Sequence, residues 1–279
     1  WDDTLGKDFK YNISLNGSYN KNEVGNIPTS DGIIHGAGNE LYNNASEFYR
    51  AENGQPIGYF WGYKTAGIFQ NTQEIDEWRA AGNGILQSNV QPGDVRFVDR
   101  NHDGQINDKD KVNLGNGTPD FTLGLNLGFV YKGFDFSIVA NGAFGQQIVQ
   151  SYRNHTRPTP NYTTAILDRW HGEGTSNRIP RVTDSNINYQ FSDLFIQNGD
   201  YLRLSTLTLG YDFAKLFKGK AVSQARLYFQ VQNLFTITGY DGMDPEIGFG
   251  SSNNSWVSGL DYGYYPRPRT VLVGVNLKF

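Results

Sequence analysis

Alternation of apolar and polar side chains over about ten residues, repeated six times, is the feature that most limits how this chain can fold. The pattern occurs at residues 9–19, 121–131, 134–145, 201–213, 226–237 and 270–279. Successive side chains of an extended strand point to opposite faces, so each segment predicts a strand with one apolar and one polar face. Strands of about 9–11 residues are long enough to cross a bilayer when they are tilted.

The last of these segments carries the clearest pattern. Its apolar side chains share one face: Val271, Val273, Val275, Leu277 and Phe279. A C-terminal strand that alternates in this way and ends on an aromatic residue is typical of bacterial outer-membrane β-barrels. The edge strand of a soluble β-sandwich can look the same, so the rest of the chain must distinguish the two.

Two local signals refine the strands. Lys132 and Gly133 lie between two alternating segments and predict a tight hairpin. In 201–213 the apolar residues change parity after Leu204. A one-residue β-bulge near Ser205 and Thr206 would return all of them to one face.

The connections between the six segments alternate between short and long. The long ones span residues 21–119, 147–200 and 239–267, so an antiparallel arrangement places all three on one side. Short turns on one side and long loops on the other are the pattern of outer-membrane barrels, whose long loops are extracellular. The fold expected is therefore all-β, a transmembrane antiparallel β-barrel. Six strands are fewer than the roughly eight of the smallest barrels, so we expect a larger barrel.

Composition excludes several classes of protein. The net charge is −4 and no basic stripe is present, which argues against a nucleic-acid partner. The chain has no cysteine, and so no disulfide or thiolate chemistry. No run of about 18 apolar residues occurs, so a transmembrane helix is not expected.

An acidic stretch in the first long connection predicts a calcium site. Its spacing is that of the twelve-residue EF-hand loop, with glycine at position 6 and the seventh residue contributing its backbone carbonyl. The candidate ligands are Asp99, Asn101, Asp103, Gln105 and Asp110. Asp110 replaces the usual bidentate glutamate and reaches less far, which favours weaker, structural binding. A plain acidic turn at Asp103-Gly104 is the alternative.

Aromatic residues crowd into one part of the same connection. Tyr59, Trp61 and Tyr63, with Phe60 between them, are candidate contacts for a substrate or a partner protein. Packing of the loops against each other explains them equally well. Short helices are predicted at 72–81 and 163–170.

Catalysis is not expected. The chain has no HExxH, no G-x-S-x-G and no phosphate-binding loop, and its four histidines show no paired spacing. The carboxylates of Asp244 and Glu246 form a possible pair, which is better explained as a hydrogen-bonded loop than as an active site. We therefore expect that the protein is not an enzyme.

Several stretches together resemble the C-terminal part of the SusC/RagA family, the TonB-linked outer-membrane transporters of Bacteroidetes. They occur in the order of the family and cover nearly the whole chain. They are Gly58–Phe69, Gly93–Phe97 leading into Asp99–Asp110, Gly115–Phe121, Arg169-Trp170, Ile179-Pro180-Arg181, Tyr201–Leu204, Gln232–Phe235, Asp244-Pro-Glu246 and the terminal strand.

The resemblance implies that residues 1–279 are the C-terminal part of a 22-stranded barrel in the bacterial outer membrane, with about its last six strands. It implies a plug domain and a TonB contact in an N-terminal part that this chain lacks. It also implies a SusD-like surface lipoprotein as partner and an oligosaccharide, or in some members a peptide, as the imported substrate.

A protein of another class remains as the alternative. A secreted, calcium-stabilised β-sheet module that binds glycans would share the strands, the cation motif and the aromatic residues. Solubility distinguishes the two, because a binding module stays in solution without detergent and a barrel wall does not.

Overall fold

The computed structural model describes residues 1–41, 45–151, 163–183, 187–214, 222–248 and 255–279. These residues form sixteen strands, one α-helix and four short 3-10 turns. The strands are β1 (Asp2–Leu5), β2 (Phe9–Tyr19), β3 (Ile33–His35), β4 (Tyr49–Glu52), β5 (Tyr59–Gly62), β6 (Thr65–Ile68), β7 (Val95–Phe97), β8 (Val112–Asn113), β9 (Phe121–Tyr131), β10 (Phe134–Phe144), β11 (Gln147–Gln150), β12 (Ile196–Asn198), β13 (Tyr201–Asp212), β14 (Gln224–Thr238), β15 (Leu260–Asp261) and β16 (Thr270–Lys278). The helix α1 spans Thr72–Ala80, and the 3-10 turns are Asp108–Asp110, Thr164–Asp168, Ile187–Tyr189 and Asp193–Phe195.

One large sheet organises the chain. Its seven strands follow the order β1-β2-β9-β10-β13-β14-β16, and every neighbouring pair is antiparallel. The strands therefore run up and down in chain order, and all three long connections join neighbouring strands at the same end of the sheet. Among the described residues the sheet is open, with β1 and β16 at its two sides.

One face of this sheet is apolar across its whole width. A single row of paired residues crosses six strands: Phe9, Tyr131, Phe134, Tyr211, Leu227 and Val275. Many side chains of this face are exposed, among them Leu15 at 67% and Val273 at 71%. The opposite face carries amides, hydroxyls and glycines, such as Asn12 beside Gly128.

Both local signals read from the sequence are confirmed. Lys132 and Gly133 have φ angles of 48° and 93°, the left-handed conformation that the tightest hairpin turns require. Leu204 and Thr206 of β13 have paired residues on both β10 and β14, but Ser205 between them has none, as expected for a bulge. Because of it, the apolar side chains on both sides of Ser205 share one face.

The sheet has one strand more than the six expected from alternation. β1 pairs with β2 through Asp2–Asn12 to Leu5–Phe9, and Gly6 turns the chain between them with a φ of 68°. Its sequence, Asp-Asp-Thr-Leu, shows no alternation, so the pairing with β2 and not the local pattern makes it a strand. The short connection expected at 214–223 lies mostly outside the described residues.

The long connections fold into a second body, the loop body, at one end of the strands of the large sheet. It contains sheets of order β3-β4-β5-β8, β12-β11-β15 and β6-β7. All three connections contribute to its main core, which consists of Leu41, Ala45, Phe48, Tyr49, Phe60, Leu114, Val149, Phe191, Val257 and Leu260. Burial of these side chains stabilises the loops against each other.

The predicted helix at 72–81 is observed as α1. The Asn71 side chain caps it by accepting from the backbone N–H of Glu74 at 3.0 Å, and Gly82 follows its end with a positive φ. The helix predicted at 163–170 is instead the short 3-10 turn Thr164–Asp168, which has no side-chain cap. The described residues include no helix with the length and hydropathy needed to cross a membrane.

Candidate functional site

The two ends of the predicted calcium loop are buried carboxylates. Asp99 and Asp110 are 1% and 0% exposed. The Oδ2 atom of Asp99 accepts from the backbone N–H groups of Gly84 (3.0 Å) and Gly104 (2.8 Å). The carboxylate of Asp110 accepts from the N–H of Arg100 (2.9 Å) and of Asn107 (2.8 Å), which closes the loop from its first to its last residue.

The middle of the loop is exposed and turns as the motif requires. Gly104 has a φ of 79° at position 6. Asn101 accepts from the N–H of Asp103 at 3.1 Å and donates from Nδ2 to its carboxylate at 2.9 Å. The N–H of Gln105 donates to the Asp103 carboxylate at 3.0 Å. The group that the motif assigns to the ion at this position is the backbone carbonyl of Gln105.

The geometric arrangement of the acids is looser than a closed metal site. The described part of the chain contains no cluster of three or more His, Cys, Asp and Glu side chains that could hold a metal ion. The three aspartates of the motif are therefore not gathered around one point, and its other two groups are an amide oxygen and a backbone carbonyl. Calcium at this loop therefore stays a prediction.

The aromatic segment lies mostly inside the loop body. Tyr59 is 2% and Tyr63 5% exposed, and Phe60 is fully buried. The hydroxyl of Tyr59 donates to Glu52 at 2.5 Å, and burial raises the pKa of Tyr59. Burial, followed by the negative charges of Asp108 and Asp110, raises the pKa of Tyr63 to about 12. The burial of both tyrosines leaves little of their side chains for a ligand, so the predicted contact rests on Trp61.

Trp61 is only partly buried and is flanked by two cations. The guanidinium carbon of Arg50 lies 3.4 Å from the ring centroid, and the Nζ atom of Lys111 lies 4.2 Å from it. Such contacts with the face of an indole are attractive and hold the ring in place. The two cations also cover part of the ring face, and a contact of Trp61 with a ligand or partner stays a prediction.

A buried ionic network, not expected from the sequence, joins the first and second connections. Asp94 is 1% exposed, and its Oδ1 atom accepts from the Nε of Arg181 at 2.7 Å and from the Nδ2 of Asn188 at 2.8 Å. Asn188, fully buried, in turn accepts from the N–H of Val95 at 3.0 Å. The partners are separated by about ninety residues of sequence, and only the motifs containing Asp94 and Arg181 marked them in advance.

The carboxylates of Asp244 and Glu246 form a second network, as a hydrogen-bonded loop would. Arg203 on β13 is 3% exposed and donates to Asp244 at 2.5 Å and to Glu246 at 3.0 Å. Arg267 also donates to Glu246, at 2.7 Å. Arg203 therefore fixes the third connection against the polar face of the large sheet, and Arg267 closes a contact within that connection.

A polar cleft of about 380 Å³ between the first and second connections was also not anticipated. Its lining includes Gln70, Glu74, Arg96, Glu173 and Asn177. Gln70 joins its two walls, because its side chain donates to Ser176 and accepts from the N–H of Gly174.

Comparison with known proteins identifies the kind of molecule to which this chain corresponds. No family model matches it. It is 32% identical over 285 residues to TonB-dependent receptor P3 of Formosa agariphila, which covers 98% of this chain and 27% of that protein. It is 29% identical over 276 residues to TonB-dependent receptor SusC of Bacteroides thetaiotaomicron, covering 98% of this chain and 25% of SusC.

Solved structures give the same result for the fold. The structure of the RagAB peptide transporter matches 100% of this chain and 28% of the solved chain, with a TM-score of 0.71 and 20% sequence identity. The chain thus spans about a quarter of the length of its relatives, which are named as receptors and transporters and not as enzymes. Over nearly its whole length the chain is therefore similar to a part of the TonB-dependent receptors of the SusC kind, which are proteins of the bacterial outer membrane, and its fold is that of the matching part of the RagAB transporter.

Proposed function

We propose that this chain forms the last strands of a 22-stranded transmembrane barrel in a TonB-dependent importer. The observation that carries the proposal is the exposed apolar face of the seven-stranded sheet, on which Leu15, Phe235 and Val273 are 67%, 49% and 71% exposed. Soluble monomers rarely expose apolar patches larger than a few hundred Å². Lipid is the partner that suits a face of this extent, and the polar face then lines the interior.

The loop body is the outer vestibule in this proposal. All three long connections lie at one end of the sheet and share one core, so they form a preformed surface outside the membrane. A SusD-like surface lipoprotein covers this surface, and Trp61 contributes to the contact. TonB acts on an N-terminal part of the receptor, with the plug domain, that this chain does not include.

The imported substrate is proposed to be an oligosaccharide. The polar face of the sheet presents neutral hydrogen-bonding groups, such as Asn16, Asn126 and Gln230, at its centre. One pair of opposite charges on this face, Asp135 and Arg226, is joined at 2.5 Å. Neutral amides and hydroxyls suit the hydroxyl groups of sugars. A peptide is the competing substrate, since the solved structural neighbour is described as a peptide transporter.

Deletion of the full-length receptor tests import. The deletion strain should lose uptake of one class of labelled oligosaccharide and regain it on complementation, while peptide uptake stays unchanged. The tagged receptor, extracted in detergent, should retain a surface lipoprotein. Loss of peptide uptake alone would show that the substrate is a peptide and not an oligosaccharide. Unchanged uptake of both, with no lipoprotein retained, would refute the importer.

Fractionation separates the importer from a secreted glycan-binding module. The full-length protein should remain in the membrane fraction after washing at high salt and enter solution only with detergent, because its apolar face is covered by lipid. Recovery in the soluble fraction would favour the secreted module.

A further inference from the structure

The loop at residues 99–110 buries two negative charges without a cationic partner. No ion pair to Asp99 or Asp110 is present among the described residues, although both carboxylates are almost fully buried. Buried carboxylates in proteins are paired, are neutralised or coordinate a metal ion, because transfer of an isolated charge out of water is costly. Backbone N–H groups satisfy part of each carboxylate, and a cation would complete the pairing.

One oxygen atom marks where that partner belongs. The Oδ1 atom of Asp99 is buried and has no hydrogen-bond partner in the described part of the chain, whereas its Oδ2 atom accepts from the N–H groups of Gly84 and Gly104. The two oxygens of Asp110 each accept a single N–H. A carboxylate has about four acceptor positions, so both residues keep the capacity to bind a cation while they retain these hydrogen bonds.

We propose that residues 99–110 bind one calcium ion. The ligands are the side-chain oxygens of Asp99, Asn101, Asp103 and Asp110 and the backbone carbonyl of Gln105. Hard oxygen ligands at these positions of a twelve-residue loop match the preference of Ca²⁺ for six to eight oxygens. On binding, Asn101 and Asp103 exchange their mutual hydrogen bond for contacts with the ion.

The ion stabilises one part of the loop body. Ile106 at position 8 is 9% exposed and packs in a cluster with Tyr63, Val95 and Phe97. The segment after α1 covers the loop so closely that a Cβ atom on Gly84 would lie 2.6 Å from the backbone of Gln105. Calcium thus connects this cluster to the segment after α1. The site is independent of the substrate proposed above.

Calcium titration of the full-length receptor in detergent tests the proposal, after removal of metals with a chelator. Asp103→Asn should raise the dissociation constant for Ca²⁺ by at least about tenfold, since affinity follows the ligand charge. Asp103 is exposed, so the variant should fold. Asp108→Asn is the matched control: it removes an exposed acid of the same loop at a non-ligand position and should leave the affinity unchanged.

Hydrogen exchange supplies a second measurement on the same samples. Calcium should slow exchange at β7 and at Ile106 in the wild type and in Asp108→Asn, and should leave β9 and β10 unchanged. Wild-type protein that binds no calcium at millimolar concentrations would overturn the proposal. Equal loss of binding in Asp103→Asn and Asp108→Asn would also overturn it, because the effect would then be one of net charge.

Discussion

Leu125→Arg tests which face of the large sheet meets lipid. Leu125 is the fifth of the eleven residues of β9, about one residue or 3.4 Å from the middle of the strand. Its apolar neighbours across the sheet are Leu15 and Ala140. An arginine near the bilayer midplane destabilises a barrel by about 2–4 kcal/mol. That range corresponds to a decrease of about 30- to 1,000-fold in the ratio of folded to unfolded protein.

Asn126→Arg is the matched control one residue further along the same strand. Asn126 pairs with Ser14 and Val139 on the polar face, where an added guanidinium keeps its contact with water. Leu125→Met controls for the change at the site itself, because volume-conserving apolar exchanges cost little. Both controls should assemble like the wild type.

The assay measures the folded fraction of the full-length receptor in the outer membrane, detected by its heat-modifiable migration in gels, over a series of temperatures. It compares the wild type with Leu125→Arg, Asn126→Arg and Leu125→Met. Leu125→Arg should show a lower folded fraction and a lower transition temperature than the other three. Equal damage from Leu125→Arg and Asn126→Arg would refute the assignment of the two faces. So would equal tolerance of both.

Three further predictions concern the loop body. Asp94→Ala leaves the buried amide of Asn188 without its acceptor, which costs about 1–3 kcal/mol, and hydrogen exchange should accelerate at β7 but not at β16. Hydrogen bonds to carboxylates, the stronger from Glu47, raise the pKa of His35 above its usual 6.5. The stabilisation of β3 by His35 is therefore complete below pH 6.5 and is lost as the pH rises through the raised pKa; His35→Gln should abolish this dependence in hydrogen exchange. Trp61→Ala should reduce lipoprotein capture in detergent pull-downs, and unchanged capture would exclude Trp61 from the contact.

Local chemistry in the sequence was sufficient to predict six of the seven strands of the large sheet. Period-two alternation depends only on the direction of successive side chains, so it marks strands without knowledge of their partners. The same holds for the Lys132-Gly133 turn, which needs positive φ angles at both residues, and for the bulge at Ser205, which the change of parity requires. β1 was not predicted, because its four residues do not alternate and only their pairing with β2 makes them a strand.

The interior of the loop body was decided by tertiary structure. Tyr59, Trp61 and Tyr63 look alike in the sequence, but two are buried and one is partly exposed. Tyr63 packs in a cluster with Val95, Phe97 and Ile106, residues more than thirty positions away in the sequence. The contact of Asp94 with Arg181 joins residues 87 positions apart. Burial and ion pairing depend on which distant segments meet, whereas alternation is written into neighbouring residues. The sequence alone therefore determined the six long strands of the large sheet and their two faces. Only the tertiary structure determined β1, the fold of the loop body and which loop residues are available for binding.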